Sequence, residues 1–315
     1  MSTSKLQKTL ERVKQRIADK EFYEAQQALR TVVARYVRQG DYEEAVELLF
    51  EGTQVVLRAG EGGSGGDLAC LLIETFNNGK LGVTASTRAQ VVQLFALFRP
   101  DEPRRKAFVQ AAVQWANKTG GDRELHHVFG KALAEEDEPY EAEKHLLLGT
   151  AASAEVLGQM EFDWFMDDDE DDHAPFYAAR AVLGYLAVGS IAGARRALDT
   201  FVAALTASGR VAAPEPVTGT VGSVAVFASE PLLNFFQLLI AACQRPSADL
   251  YRRLKAHYRA EIAAAGGLDD ALDRIGERFF GIRARTQGNL LQDLMGSFLG
   301  PAPPARPALA GPDVD

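Results

Sequence analysis

Two cysteines in 315 residues are too few for a disulfide framework. Cys70 and Cys243 both sit in apolar helical runs and read as buried, reduced thiols. The five histidines are His126, His127, His145, His173 and His257. None belongs to H-E-x-x-H, and no cysteine joins one at zinc spacing, so no metal site is signalled. The phosphate-cradling G-x-x-x-x-G-K-[ST] is missing too. No window holds the ~18 apolar residues of a membrane span. The first residues are polar and charged, without the apolar core of a signal peptide. These absences predict a soluble cytoplasmic protein with no cofactor, no metal and no catalytic motif.

What is present is helix. Hydrophobic residues make up 47% of the chain, enough for a full core, and the length suits a helical solenoid. Phe22, Ala25, Leu29, Val32 and Tyr36 recur at steps of three and four, one face of a helix. After Gly40-Asp41, a C-terminal stop and an N-cap, the period restarts with Tyr42, Ala45, Leu48 and Leu49. Phe22-Tyr23-Glu24-Ala25, Tyr42-Glu43-Glu44-Ala45 and Pro139-Tyr140-Glu141-Ala142 form a loose repeat. In tetratricopeptide-like hairpins the small Ala admits a crossing helix and the aromatic ring fills the gap above it. The fold class expected is all-α, an α-solenoid of antiparallel helix pairs. Its halves are placed at 1–150 and 151–300.

Further helices are predicted over 4–19, 86–98, 104–118, 124–135, 140–149, 176–188, 191–208, 250–265 and 269–280, with a short last one over 290–298. Residues 60–66, G-E-G-G-S-G-G, contain a literal G-x-G-x-x-G and a literal G-x-S-x-G. Neither has the preceding strand its chemistry needs, so the stretch reads as a flexible loop with Asp67 capping the next helix. The run Asp167-Asp168-Asp169-Glu170-Asp171-Asp172 lacks the glycine and the spaced glutamate of a calcium loop, and reads as a solvated, disordered insertion. Pro214, Pro216, Gly219 and Gly222 followed by Val224 and Val226 predict one β-hairpin near 211–227. Residues 301–315, rich in Pro and Ala, read as a disordered tail.

Charge is unevenly placed. The chain carries a net −9, yet residues 1–40 hold nine Lys/Arg against four Asp/Glu, a local +5. An acidic chain with one basic end points to an acidic protein partner and away from nucleic acid.

The order and spacing of several short landmarks resemble the Golgi to ER traffic protein 4 family, the scaffold subunit of tail-anchored protein targeting. They are Phe22-Tyr23-Glu24-Ala25 with Leu29-Arg30-Thr31, Ala45-Val46-Glu47-Leu48-Leu49, Asp67-Leu68, Glu230-Pro231-Leu232-Leu233-Asn234-Phe235, Asp273-Arg274-Ile275-Gly276 and Asn289-Leu290-Leu291. The acidic run and the Pro/Ala-rich tail depart from it. The resemblance implies a non-catalytic cytosolic adaptor. Its N-terminal half would dock the homodimeric targeting ATPase, and its C-terminal half would hold a ubiquitin-like partner that recruits a tetratricopeptide co-chaperone. No direct membrane insertion is implied. The basic end then supplies Arg12, Lys14, Arg16, Arg30, Arg35 and Arg38 for the ATPase, with Asp67 and Glu74 as a second contact. For the ubiquitin-like partner a hydrophobic groove is expected, lined by Val224, Val226, Phe227, Leu232, Phe235, Phe236, Leu239, Ile275, Phe279, Phe280 and Leu291. The alternative readings are a generic scaffold binding chaperone C-terminal peptides, and a hydrolase assembled from distant carboxylates.

Overall fold

The computed structural model describes residues 2–219 and 222–282. The predicted helix over 290–298, Leu291 and the tail 301–315 lie outside them. The described residues form fifteen α-helices, one 3-10 turn and one hairpin. In the N-terminal part these are α1 (Ser2–Ala18), α2 (Phe22–Gln39), α3 (Tyr42–Arg58), α4 (Gly62–Asn78), α5 (Ala85–Phe95), α6 (Pro103–Asn117) and α7 (Arg123–Glu135). Then come α8 (Pro139–Leu146), α9 (Ala151–Met166), a 3-10 turn (Asp171–His173), α10 (Ala174–Ala187) and α11 (Ile191–Ser208). The hairpin β1 (Glu215–Gly219) and β2 (Gly222–Val226) precedes α12 (Pro231–Gln244), α13 (Ala248–His257), α14 (Arg259–Ala265) and α15 (Asp269–Phe280).

Local chemistry explains the boundaries. Gly40 ends α2 in the left-handed region at φ 82°, and the N–H of Asp41 reaches back to the carbonyl of Tyr36 at 3.0 Å. The side chains of Asp122, Ser190 and Ser247 accept N–H bonds at the starts of α7, α11 and α13. Reciprocal Thr84–Thr87 and Thr150–Ser153 caps open α5 and α9. The expected single helix over 250–265 is two, parting at Tyr258, and α9 had no counterpart in the sequence reading.

The repeat works by its alanine. Ala25, Ala45 and Ala142 are all fully buried. The aromatic half of the expectation holds less well: Tyr42 packs at Gly79, but Tyr23 and Tyr140 stand largely in solvent at 66% and 62% exposure. The core divides in two. One cluster runs from Leu6 to Phe129 and the other from Ala142 to Ile275. Polar contacts bridge the junction: Arg105 pairs with Glu136, His127 Nδ1 lies 2.9 Å from Ser153 Oγ, and His126 Nδ1 lies 3.1 Å from His145 Nδ1.

Two loop expectations are overturned. The glycines of 60–66 are not a flexible loop but largely the first turns of α4, and Asp67 lies inside that helix. Gly65 and Gly66 are buried under Leu57 and Arg104, which pack so close that a Cβ at either position would collide with them. Close helix approach, not flexibility, is what the small residues supply. The acidic run is ordered, not a disordered insertion. Asp168 accepts from Tyr177 Oη at 2.9 Å, contacts His173 Nδ1 at 2.9 Å, and is drawn down to about 2, chiefly by His173. Asp171 accepts from Arg210 Nε at 2.6 Å. Of the two thiols, Cys243 is buried and raised to about 12 by desolvation, but Cys70 is only half-buried.

Candidate docking surfaces

The basic end lies on α1 and α2. The buried stripe of α1 is Leu6, Leu10 and Val13, which leaves Arg12 and Lys14 facing solvent and Arg16 half-buried. Arg12 and Arg16 are four residues apart and so share one row of the helix. Arg16 donates from Nη1 to the carbonyl of Glu24 at 3.0 Å, tying α1 to the start of α2. Lys14 lies 3.5 Å from Glu11. On α2, Arg30, Arg35 and Arg38 are all exposed. Arg35 and Arg38 lie one turn apart, and Arg30 is offset around the helix.

The two expected acidic contacts on α4 differ from each other. Glu74 is exposed, whereas Asp67 is half-buried and engaged. Its carboxylate pairs with Arg104 of α6 at 2.9 Å and accepts from Gln26 Nε2 of α2 at 3.4 Å. Asp67 therefore knits α2, α4 and α6 together.

The C-terminal surface is built around α12. Its sequence, P-L-L-N-F-F-Q-L-L-I-A-A-C-Q, is apolar nearly all round, with two carboxamides three residues apart. Asn234 accepts the N–H of Phe227 at 2.9 Å and donates to its carbonyl at 2.7 Å. Gln237 does the same for Ala225, at 3.0 and 2.7 Å. The two side chains thus act as a surrogate strand along β2 and its exit. Since Ala225 turns its backbone groups toward α12, it forms the non-hydrogen-bonded pair with Pro216 of β1. The proline's missing N–H is therefore no loss to the ladder.

The expected groove is not open among the described residues. Phe227, Leu232, Phe235, Phe236, Leu239 and Ile275 are buried in the chain's own core, at 7% exposure or less. An apolar helix needs cover on every side, and α10, α11, α13, α14 and β2 all pack on α12. What remains at the surface is half-buried Val224 and Val226 with the exposed Val217 on the hairpin and, separately on α15, half-buried Phe279 and Phe280. Asn234 and Gln237 had no role in the sequence reading. The signal for them was there: two carboxamides, one turn apart, in the apolar first half of a helix directly after a hairpin.

No helix among the described residues is long and apolar enough to cross a membrane. Residues 39–299 match the family model for Golgi to ER traffic protein 4. The Golgi to ER traffic protein 4 of Aspergillus fumigatus is 42% identical over 314 residues, covering 94% of this chain and 90% of that one. That of Schizosaccharomyces pombe is 32% identical, covering 89% and 91%. The Homo sapiens homolog is 27% identical, covering 88% and 83%. A crystal structure described as C. therm. Get4 superposes with a TM-score of 0.87 at 41% identity, covering 98% of this chain and all of the other. A helical solenoid of this order, with its one hairpin pinned to α12 and matched along nearly its whole length, belongs to the Golgi to ER traffic protein 4 family.

Proposed function

We propose that this chain is a non-catalytic cytosolic adaptor for tail-anchored proteins. It brings a ubiquitin-like partner, and through it a co-chaperone, to the homodimeric targeting ATPase, so that clients are inserted into the ER membrane after synthesis. Membership in a Golgi to ER traffic family supports the setting. The observation that carries the reading is the exposed cationic face of α1 and α2 on a chain of net charge −9. Such a face steers an acidic partner and loses strength as salt rises. At the other end, the outer face of the hairpin, Val217, Val224 and Val226, is where the ubiquitin-like partner would sit, with Phe279 and Phe280 of α15 as a separate contact. The buried residues beneath it act as its support.

Charge reversal at Arg12 and Arg16 tests the ATPase contact. Binding to the ATPase, followed by titration calorimetry across a salt series, should weaken at least tenfold while the ubiquitin-like partner still co-purifies. An affinity that is unchanged by the reversal and flat in salt would rule the reading out.

One observation favours a second reading. A cavity of about 1110 Å³ is lined by Arg123, Arg195 and Arg196, with Glu155, Asp199, Gln159 and Thr200 among them. A generic scaffold would use such a cavity for the acidic C-terminal peptide of a chaperone. Micromolar binding of that peptide, lost in Arg195→Ala, would decide for it.

A further inference from the structure

Four aromatic side chains from α8, α9 and α10 meet at the surface beside the acidic run. Tyr140 and Trp164 stand edge to face at 5.0 Å, and Trp164 meets Tyr177 at 5.8 Å. Phe176 projects beside them at 38% exposure, next to His173. These four line a recess of about 250 Å³ with Asp168, His173 and Arg180. The guanidinium of Arg180 lies under the rings, 5.3 Å from Tyr140 and 5.0 Å from Trp164, held from behind by Glu143 and Glu161. Asp168 fixes Tyr177 and His173, so the shelf is preformed. The rim is anionic, since Asp169, Glu170 and Asp172 are all exposed.

An aromatic shelf with an acidic rim fits a polyproline II segment carrying a cation. Such a segment exposes flat proline rings at little entropic cost and stacks them on aromatic faces. The sequence offers a candidate. Residues 301–307 read P-A-P-P-A-R-P, placing Pro301, Pro304 and Pro307 every third residue. In that conformation, with three residues per turn and ~3.1 Å rise, these prolines would fall on one face at ~9 Å intervals, with Arg306 on the adjoining edge.

Reach is sufficient. Arg278 of α15 donates to the carbonyl of Val188, which places the last described helix against the C-terminal end of α10, the helix that carries Phe176 and Tyr177 near its start. The fourteen residues of α10 span about 21 Å. The stretch 283–300 spans on the order of 40 Å even with the predicted helix formed. The family match ends at residue 299, so the proline segment lies just beyond what the family model describes.

We propose that residues 301–307 dock in cis as a polyproline II strand on the Tyr140–Trp164–Phe176–Tyr177 shelf, with Arg306 set against the acidic rim. The two stretches that depart from the family resemblance are thereby each other's ligand and site. This is independent of the adaptor reading, because it needs no second protein.

The test uses the full-length chain with a photo-cross-linking benzoylphenylalanine in place of Phe176, and an equimolar mixture of light and isotopically heavy protein. After irradiation and digestion, the main cross-linked peptide should contain residues from 299–309. It should pair light with light and heavy with heavy. Arg306→Glu and the double change Pro304→Gly with Pro307→Gly should each lower its yield at least fivefold. These positions lie outside the described residues, and melting temperatures equal to the parent's separate a lost contact from a lost fold. Cross-links confined to residues 2–282 would overturn the proposal, as would mixed light–heavy peptides, which would mean that a second copy is the occupant.

Discussion

At the scale of the residue, Glu161 and Gly158 show what burial does to a single side chain. Glu161 of α9 is fully buried, and neither carboxyl oxygen has a hydrogen-bond partner. Desolvation pushes it up to about 8, against the pull of an Arg180 that it shares with Glu143. A carboxyl whose folded value lies above its unfolded value binds more protons folded than unfolded. Its contribution is therefore present below about pH 4.5 and is lost as pH rises towards 8. Glu161→Gln should flatten that fall, and the melting temperature followed from pH 5 to 8 for both proteins checks it. Gly158 packs against α11, where a Cβ would strike the backbone carbonyl of Ala197, which cannot swing aside. Gly158→Ala should cost about 1–3 kcal/mol by overpacking. Gly63→Ala, with open space around an exposed helical site, should gain about 0.5–1 kcal/mol. Chemical denaturation of the two variants compares them directly. From sequence, Gly63 and Gly66 are indistinguishable, because what separates them is the approach of Arg104 from a helix some forty positions on.

At the scale of the element, periodicity carried most of the assignment. The 191–208 and 269–280 helices emerge with those same bounds: left-handed Gly209 and Gly281 end them, apolar spacing sets both, and Ser190 caps the start of the first. Where such signals disagree the sequence misleads. The glycines before Asp67 mimic a linker, and six carboxylates mimic disorder, yet Arg104, Arg210, His173 and Tyr177 are brought in by tertiary packing to settle both. The hairpin was legible from its turn residues, but its support was not, because the pairing of Asn234 and Gln237 with β2 is a three-dimensional fact. Gln237→Ala should leave Ala225 without its two side-chain partners, destabilising the hairpin by about 1–3 kcal/mol. Hydrogen exchange should then speed up over 215–226 while α12 stays protected. Equal protection in both proteins would show that the carboxamides are incidental.

At the scale of the whole molecule, the two cores meet at a pair of imidazoles. Desolvation lowers both His126 and His145, the latter to about 4 with the charge of His126 adding to the fall. A base whose folded value is depressed binds fewer protons folded than unfolded. Stability is thus kept above about pH 6.5 and lost as pH falls towards 4. Acidification should loosen the junction first. Calorimetry at pH 5 is expected to show a lower and broader transition than at pH 7, with a smaller change for His145→Asn.

The hairpin also governs how copies of the molecule treat one another. β1 is exposed along its visible length, and a bare strand edge invites growth by addition of further strands, the route to fibrils. Residues 216 and 218 turn their backbone outward there, and position 216 is a proline, as is position 214 just before the strand. The rim is therefore rich in acceptors and nearly bare of donors, with the Thr218 N–H left over. Two copies brought edge to edge would present carbonyl to carbonyl. Self-templating is frustrated, while a foreign strand that supplies its own donors still finds a seat. Pro216→Val would restore the donor, and concentration-dependent light scattering should then rise.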